Sequence, residues 1–249
     1  MIFLIFIFGL IIGSFINCIV YRLYVGESFI KGRSYCPNCK HQLGFWDLIP
    51  IFSFLVLKGK CRYCHKKISW QYPLVEIITA ITFCLVYLLS APVIIILARN
   101  LFFSAVLIII FIFDFKYLLV ADKIVVPSIF ISFLLNLIVK MSWQNLLLGA
   151  IIGSSFFLIQ YLISKGEWIG SGDIYIGALM GVMLGFKNVI LALILAYIIG
   201  SIVALLLVAF KKEGWKSKIP LGPFLAIGTI ISLFFGEKIL QWYLGGIFF

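Results

Sequence analysis

Apolar runs of about 20 residues recur along the whole chain, the length an α-helix needs to cross the hydrocarbon core of a bilayer. They break at charged or Gly/Pro clusters, leaving eight candidate spans near 2–20, 73–90, 94–113, 124–139, 146–164, 174–186, 189–210 and 222–243. Inside a bilayer every backbone polar group needs an internal partner, so runs of this length read as helices. The chain is 64% hydrophobic and 12% charged, a balance that excludes a soluble globular domain. The expected fold class is therefore an all-α polytopic membrane protein of about eight transmembrane helices, with one small cytosolic insert. Met1–Val20 lacks a basic leading region and a small-residue cleavage pattern, so it is expected to be a retained first helix.

Charge orients the thread. With the amino terminus outside, Arg22–Lys67, Lys116–Lys123, Lys165 and Lys211–Lys218 fall in the cytosol. Of 20 basic residues only Arg99, Lys140, Lys187 and Lys238 are then external. The positive-inside rule selects this orientation, with both termini external. It also accounts for the net charge of +11 without a nucleic-acid partner; membrane lipids are the partner this charge implies. Two places strain the thread: Arg99 interrupts an apolar run, and the span near 174–186 is short enough to be tilted or partly re-entrant. The expected divisions are a first transmembrane helix at 1–20, a cytosolic insert at 21–72 and a membrane domain at 73–249.

The insert is too small to build a sufficient apolar core and needs a staple. Cys36-Pro-Asn-Cys39 and Cys61-Arg-Tyr-Cys64 have the spacing of a structural zinc ribbon, each pair offering two corners of a tetrahedron. Lys40, Lys60, Arg62, Lys66 and Lys67 would offset the −2 charge of four thiolates around Zn²⁺. Redox dithiols and unliganded cysteines are the alternatives, and His41 or His65 could substitute as a ligand. Cys18 and Cys84 stand alone in apolar runs and read as small core hydrophobes.

Acidic residues are few, nine in all, and an ionisable group at a membrane helix is a functional hypothesis by default. Asp114 closes the third span, and Asp173 opens the sixth within Gly170-Ser171-Gly172-Asp173, where glycine removes side-chain bulk around the carboxylate. The thread puts both at the cytoplasmic boundary. Two carboxylates from different helices are the minimum apparatus of aspartyl proteolysis, one taking a proton from water while the other hydrogen-bonds the scissile carbonyl. Simple helix capping is the alternative for Asp173. Because helix dipoles favour an anion at a start and disfavour one at an end, Asp173 is expected as the base and Asp114 as the acid.

The sequence resembles the prepilin peptidases, or type IV leader peptidases, over nearly its whole length. The resemblance runs through Gly13-Ser14-Phe15-Ile16-Asn17 with Tyr21-Arg22, the two C-x-x-C pairs, Asp47-Leu48-Ile49-Pro50 and Gln71-Tyr72-Pro73-Leu74-Val75-Glu76. It continues in Asp114 with Asp122, in the G-x-G-D segment and in Ile219-Pro220-Leu221-Gly222-Pro223-Phe224. It implies a multi-pass enzyme of the bacterial cytoplasmic membrane, its active site facing the cytoplasm. Prepilins or pseudopilins with a basic leader and a hydrophobic helix are the implied substrates, and the new amino terminus would be methylated from S-adenosylmethionine. Carried over, the catalytic pair is Asp114 and Asp173 on a loop supported by Gly170 and Gly172, and structural zinc is held by Cys36, Cys39, Cys61 and Cys64. Residues 21–72 become the methyltransferase part and 73–249 the peptidase domain. Two departures stand out: Val120-Ala121-Asp122 where the family commonly has Leu-Pro-Asp, and Tyr175 where it commonly has Lys.

No Gly-rich nucleotide loop marks a methyl-donor site. Asn17, Arg22, Asp47 and Glu76 are the polar candidates, with a headgroup contact and an ion pair as the alternative for Arg22 and Glu76. An ion- or proton-coupled transporter is the rival function, and a zinc-bearing scaffold another. A transporter would want midplane acids and related halves, and a scaffold leaves the G-x-G-D segment unexplained.

Overall fold

The computed structural model describes residues 1–90, 92–210 and 219–245. The expected cytosolic loop Lys211–Lys218 lies outside the described residues. The helices in chain order are α1 (Ile2–Val25), α2 (Phe52–Val56), α3 (Gln71–Leu89), α4 (Ile94–Tyr117), α5 (Asp122–Ile138), α6 (Trp143–Ser164), α7 (Gly172–Leu184), α8 (Phe186–Ala209) and α9 (Gly222–Gly245), with a short 3-10 turn at Phe45–Asp47. Apart from isolated bridges in the insert, no strand occurs among the described residues. The eight apolar helices expected are α1 and α3 to α9. Six of them are long and apolar enough to cross a membrane; α5, with 17 residues, and α7, with 13, are not. At 1.5 Å per residue α7 covers only about 20 Å, so the short span foreseen at 174–186 is real.

The chain divides into two compact units, Met1–Val93 and the part from Ile94 onward. In the first, α1 and α3 pack antiparallel. Gly9 lies against the backbone of Ala80 and Gly13 against that of Glu76, where a Cβ would meet a Cα at 2.5 and 2.7 Å. Ile16, Val20, Phe83 and Val86 fill the remaining interface.

In the second unit α7 is the centre, packed against α5, α6, α8 and α9. Ile176, Gly177 and every residue from Leu179 to Leu184 are buried, the pattern of a helix apolar all round and therefore interior. Its closest neighbour is α6. Gly149 and Gly153 of α6 face Gly181 and Gly177 of α7, and a Cβ on Gly149 would stand 2.5 Å from the Gly181 carbonyl oxygen. A Cβ on Gly153, Gly177 or Gly181 would likewise strike the partner's backbone. This small-xxx-small seam brings backbone onto backbone, the packing that dispersion rewards when lipid removes the hydrophobic drive between helices.

The far end of α7 explains Arg99. A helix that stops within apolar depth leaves carbonyls that require donors. Asn136 supplies them, its Nδ2 donating to Val182 O at 2.6 Å and Met183 O at 3.3 Å. Arg99 in turn donates to Asn136 Oδ1 at 3.1 Å and to Asn100 Oδ1 at 3.0 and 3.1 Å. The residue that interrupts an apolar run thus orients the amide that caps α7.

Candidate active site and metal centre

Asp114 and Asp173 are both buried, 8% and 9% exposed, and the Asp114 carboxylate lies close enough to interact electrostatically with Asp173. They arrive from different helices. Asp114 sits three residues before the end of α4, which stops at Tyr117 and turns through Leu118 in the left-handed region (φ 53°). Asp173 is the second residue of α7. Each is held by one backbone N–H on Oδ2: Gly222 donates to Asp114 at 2.6 Å, and Gly170 donates to Asp173 at 3.1 Å. Neither Oδ1 has a protein partner among the described residues.

Gly222 is the first residue of α9, so Asp114, though it ends its own helix, sits at the start of another and satisfies one of its free N–H groups. Counting only the helix each Asp belongs to, the dipoles make Asp173 the base and Asp114 the acid. With α9 aimed at Asp114, both carboxylates face a helix start, and the dipoles do not distinguish them. A Cβ on Gly222 would stand 2.7 Å from Asp114 Oδ2 and 3.0 Å from its Cβ. Gly222 lies in a motif quoted from the sequence yet was not among the site residues read there, and the only signal for it was a Gly-Pro pair opening an apolar run.

The two motif glycines differ. A Cβ on Gly172 would meet Val120 at 2.5 Å, so this glycine seats the α4–α5 connection on the start of α7; one on Gly170 would meet Asp173 Oδ2 at an ordinary 3.8 Å. The family's usual Pro is replaced by Ala121, whose φ of −83° lies near the value a proline ring imposes. Asp122 opens α5 and is exposed, as is Tyr175.

In the insert the four cysteine sulfurs all lie within 4.8 Å of one another, Cys36 and Cys64 at 3.9 Å. A tetrahedron with Zn–S of 2.3 Å has edges of about 3.8 Å, so the donor set fits a closed structural zinc site. The two knuckles repeat one turn. Cys36 N–H donates to His41 O and Lys40 N–H to Cys36 O; Cys61 N–H donates to Lys66 O and His65 N–H to Cys61 O. Lys40 and His65 are both left-handed, at φ 58° and 57°. Burial alone would raise the Cys36 thiol, but backbone N–H groups of Cys39 and Asn38 aimed at it bring it down to about 7. For Cys64 the Lys66 N–H favours the thiolate, yet burial and the neighbouring thiols prevail and push it up to about 11. Neither histidine belongs to the cluster: His41 lies against Tyr63 at 3.6 Å between ring centroids, the rings tilted by 34°, and His65 is exposed.

The polar methyl-donor candidates all serve this unit's own frame. Asn17 Nδ2 donates to Tyr72 O at 3.1 Å and to Gly13 O at 3.3 Å. Arg22 is buried and donates to the carbonyls of Ser28, Lys31 and Arg33, gathering the 26–33 loop. Glu76 accepts from Ile51 N–H at 2.8 Å, pinning a β-branched residue at φ 61°. The ion pair considered for Arg22 and Glu76 does not form; the one salt bridge among the described residues joins Arg62 to Asp47 at 2.7 Å. Burial alone would raise Asp47, but Arg62, with the Gly44 N–H and the Tyr63 hydroxyl, holds it below the usual carboxylate range. Each of these groups thus has a partner within the unit, and no methyl-transfer step is assigned to them.

Comparison with known proteins agrees with this layout. Residues 7–90 match the family model described as Bacterial Peptidase A24 N-terminal domain, and residues 101–205 match the Type IV leader peptidase family. The chain is 34% identical to a Prepilin leader peptidase/N-methyltransferase of Bacillus subtilis over 248 residues, covering 97% of each. It is 31% identical to one of Aeromonas hydrophila (97% of this chain, 93% of the relative) and 27% identical to one of Stutzerimonas stutzeri (96% and 92%). No solved structure matches it significantly. Two family models along the chain, and similarity running its full length, establish that it belongs to the type IV leader peptidase family.

Proposed function

We propose that Asp114 and Asp173 form the aspartyl pair of this peptidase, cleaving the leader of a prepilin or pseudopilin at the cytoplasmic membrane face. The observation that carries the reading is the arrangement itself: two buried carboxylates from different helices, near enough to interact electrostatically, each with Oδ2 on a backbone N–H and with no partner for Oδ1 among the described residues. Like charges this close do not both ionise easily, so one proton shared between them leaves one carboxylate to take a proton from water. The protonated partner hydrogen-bonds the scissile carbonyl and passes its proton to the leaving amine. Gly222 N–H and Gly170 N–H hold the two carboxylates while the proton moves. Because the roles are exchangeable in a coupled pair, base and acid are assigned to the pair and not to one residue.

The cytoplasmic orientation rests on the basic-residue split, and a substrate with a basic leader before an apolar helix suits that face. Cys36, Cys39, Cys61 and Cys64 would hold zinc, which would staple the insert in a structural and not a catalytic role. An N-methyltransferase activity rests on the relatives' names, and S-adenosylmethionine as its methyl donor on the family resemblance of the sequence. Functionally we assign 1–20 to the first membrane helix, 21–72 to the zinc-bearing part and 73–249 to the peptidase.

The test is cleavage of a leader-bearing pilin by purified protein. Asp114→Asn and Asp173→Asn should each abolish cleavage with helix content and metal retained, while Asp122→Asn, on an exposed position, keeps most of it. Loss at Asp122 with cleavage surviving in Asp114→Asn would move the pair and sink the assignment.

A further inference from the structure

The insert carries an apolar surface on the wrong side for a water-soluble module. Helix α2 points a single residue inward, Phe54, which packs on Trp70 at 4.9 Å between ring centroids. Its outward residues are Phe52, Leu55 and Val56, exposed at 58, 64 and 58%. The preceding 3-10 turn adds Phe45 and Trp46 at 77 and 69%. Contiguous exposed apolar surface of this kind marks a membrane or partner contact.

Position along α3 identifies the contact. Glu76 is the sixth residue of this membrane-spanning helix, about 7.5 Å along its axis from Gln71. Its carboxylate accepts from the N–H of Ile51, the residue just before α2. Helix α2 therefore starts beside the second turn of a spanning helix, and Trp70, at the mouth of α3, is the residue type that favours the headgroup layer. The cations agree: Lys58, Lys60, Arg62, Lys66 and Lys67 are all exposed, and Asp47, already paired, is the only acid between residues 45 and 67.

We propose that the Phe45–Val56 segment is an interfacial anchor: Phe45, Trp46, Phe52, Leu55 and Val56 dip into the boundary of headgroups and acyl chains of an anionic leaflet, and the lysines that follow bind its headgroups. The zinc-bearing part is then seated on the membrane surface. This inference stands on the insert's geometry and is independent of the peptidase assignment.

The full-length protein is reconstituted in nanodiscs of phosphatidylglycerol and phosphatidylcholine, with or without lipid brominated near the headgroup end of the acyl chain. The emission lost on Trp46→Phe isolates the Trp46 signal. That signal should be quenched at least about twofold by brominated lipid, as for an aromatic residue at the acyl boundary. Leu55→Glu with Val56→Glu should abolish the quenching at unchanged helix content. Unquenched Trp46 in the wild-type chain overturns the proposal and needs no second variant. Quenching that disappears when a pilin apolar-segment peptide is added also overturns it, by assigning the surface to substrate.

Discussion

Replacing Gly222 with Ala tests whether the Asp114 carboxylate is held by the backbone beneath it. The added Cβ would stand 2.7 Å from Oδ2 and 3.0 Å from the Asp114 Cβ, so the carboxylate has to slide away and the 2.6 Å bond from Gly222 N–H is lost. A hydrogen bond to a charged group is worth about 1.5–3 kcal/mol. At about 1.4 kcal/mol per decade, that predicts a loss in kcat/KM of roughly 10- to 150-fold if the bond acts in the transition state. Alanine at the first turn of a helix is otherwise neutral or stabilising, so α9 should remain formed. The paired variant is Gly170→Ala. There the Cβ meets Asp173 Oδ2 at 3.8 Å and the backbone is not left-handed, so activity should stay within about threefold of wild type. The assay is pilin cleavage at several substrate concentrations, with circular dichroism as the folding control. Full activity in Gly222→Ala, or equal damage from the two substitutions, refutes the reasoning.

Three further outcomes follow from geometry. The purified, reduced protein should carry one zinc per chain, and Cys36→Ser should sensitise residues 26–69 to protease while α1 and α3 stay inserted; metal analysis with limited proteolysis reads both. Gly181→Ala, which would press a methyl group into the backbone of Gly149 and Ala150, should lower stability by about 1–3 kcal/mol in thermal denaturation. Asp47→Asn should speed hydrogen exchange at Gly44 and Leu48 by about fivefold, the equivalent of about 1 kcal/mol for a pair whose Arg62 is half exposed, and cleavage should be unchanged.

The helices were legible because lipid makes each announce itself as an apolar run, and the cysteine cluster because a fixed spacing of four thiols has few other uses. Asp114 and Asp173 stood out as acids at membrane helix ends. Long-range seating was not legible. Nothing local says that Gly222, more than a hundred residues downstream, lies under Asp114, or that Asn136 caps α7 and draws Arg99 into an apolar helix. Arg22 and Glu76 read as partners because both end spans with opposite charges. In the fold each is instead consumed by backbone groups of a loop whose path the sequence pattern does not encode. Apolar residues in the insert were invisible as a surface, since exposure is a property of packing and not of composition.

Where α6 and α7 meet at bare backbone, the gap between them is set by the peptide unit and not by the volume of any side chain. Conservative swaps that let most cores drift, Leu for Val or Ile for Met, have no purchase on that distance. A lineage adapting to a stiffer or thinner bilayer, or an engineer seeking a new cleavage preference, can rework the lipid-facing sides of these helices freely while Asp173 keeps its station at the start of α7. The seam therefore fixes the spacing of the two helices independently of the side chains around it.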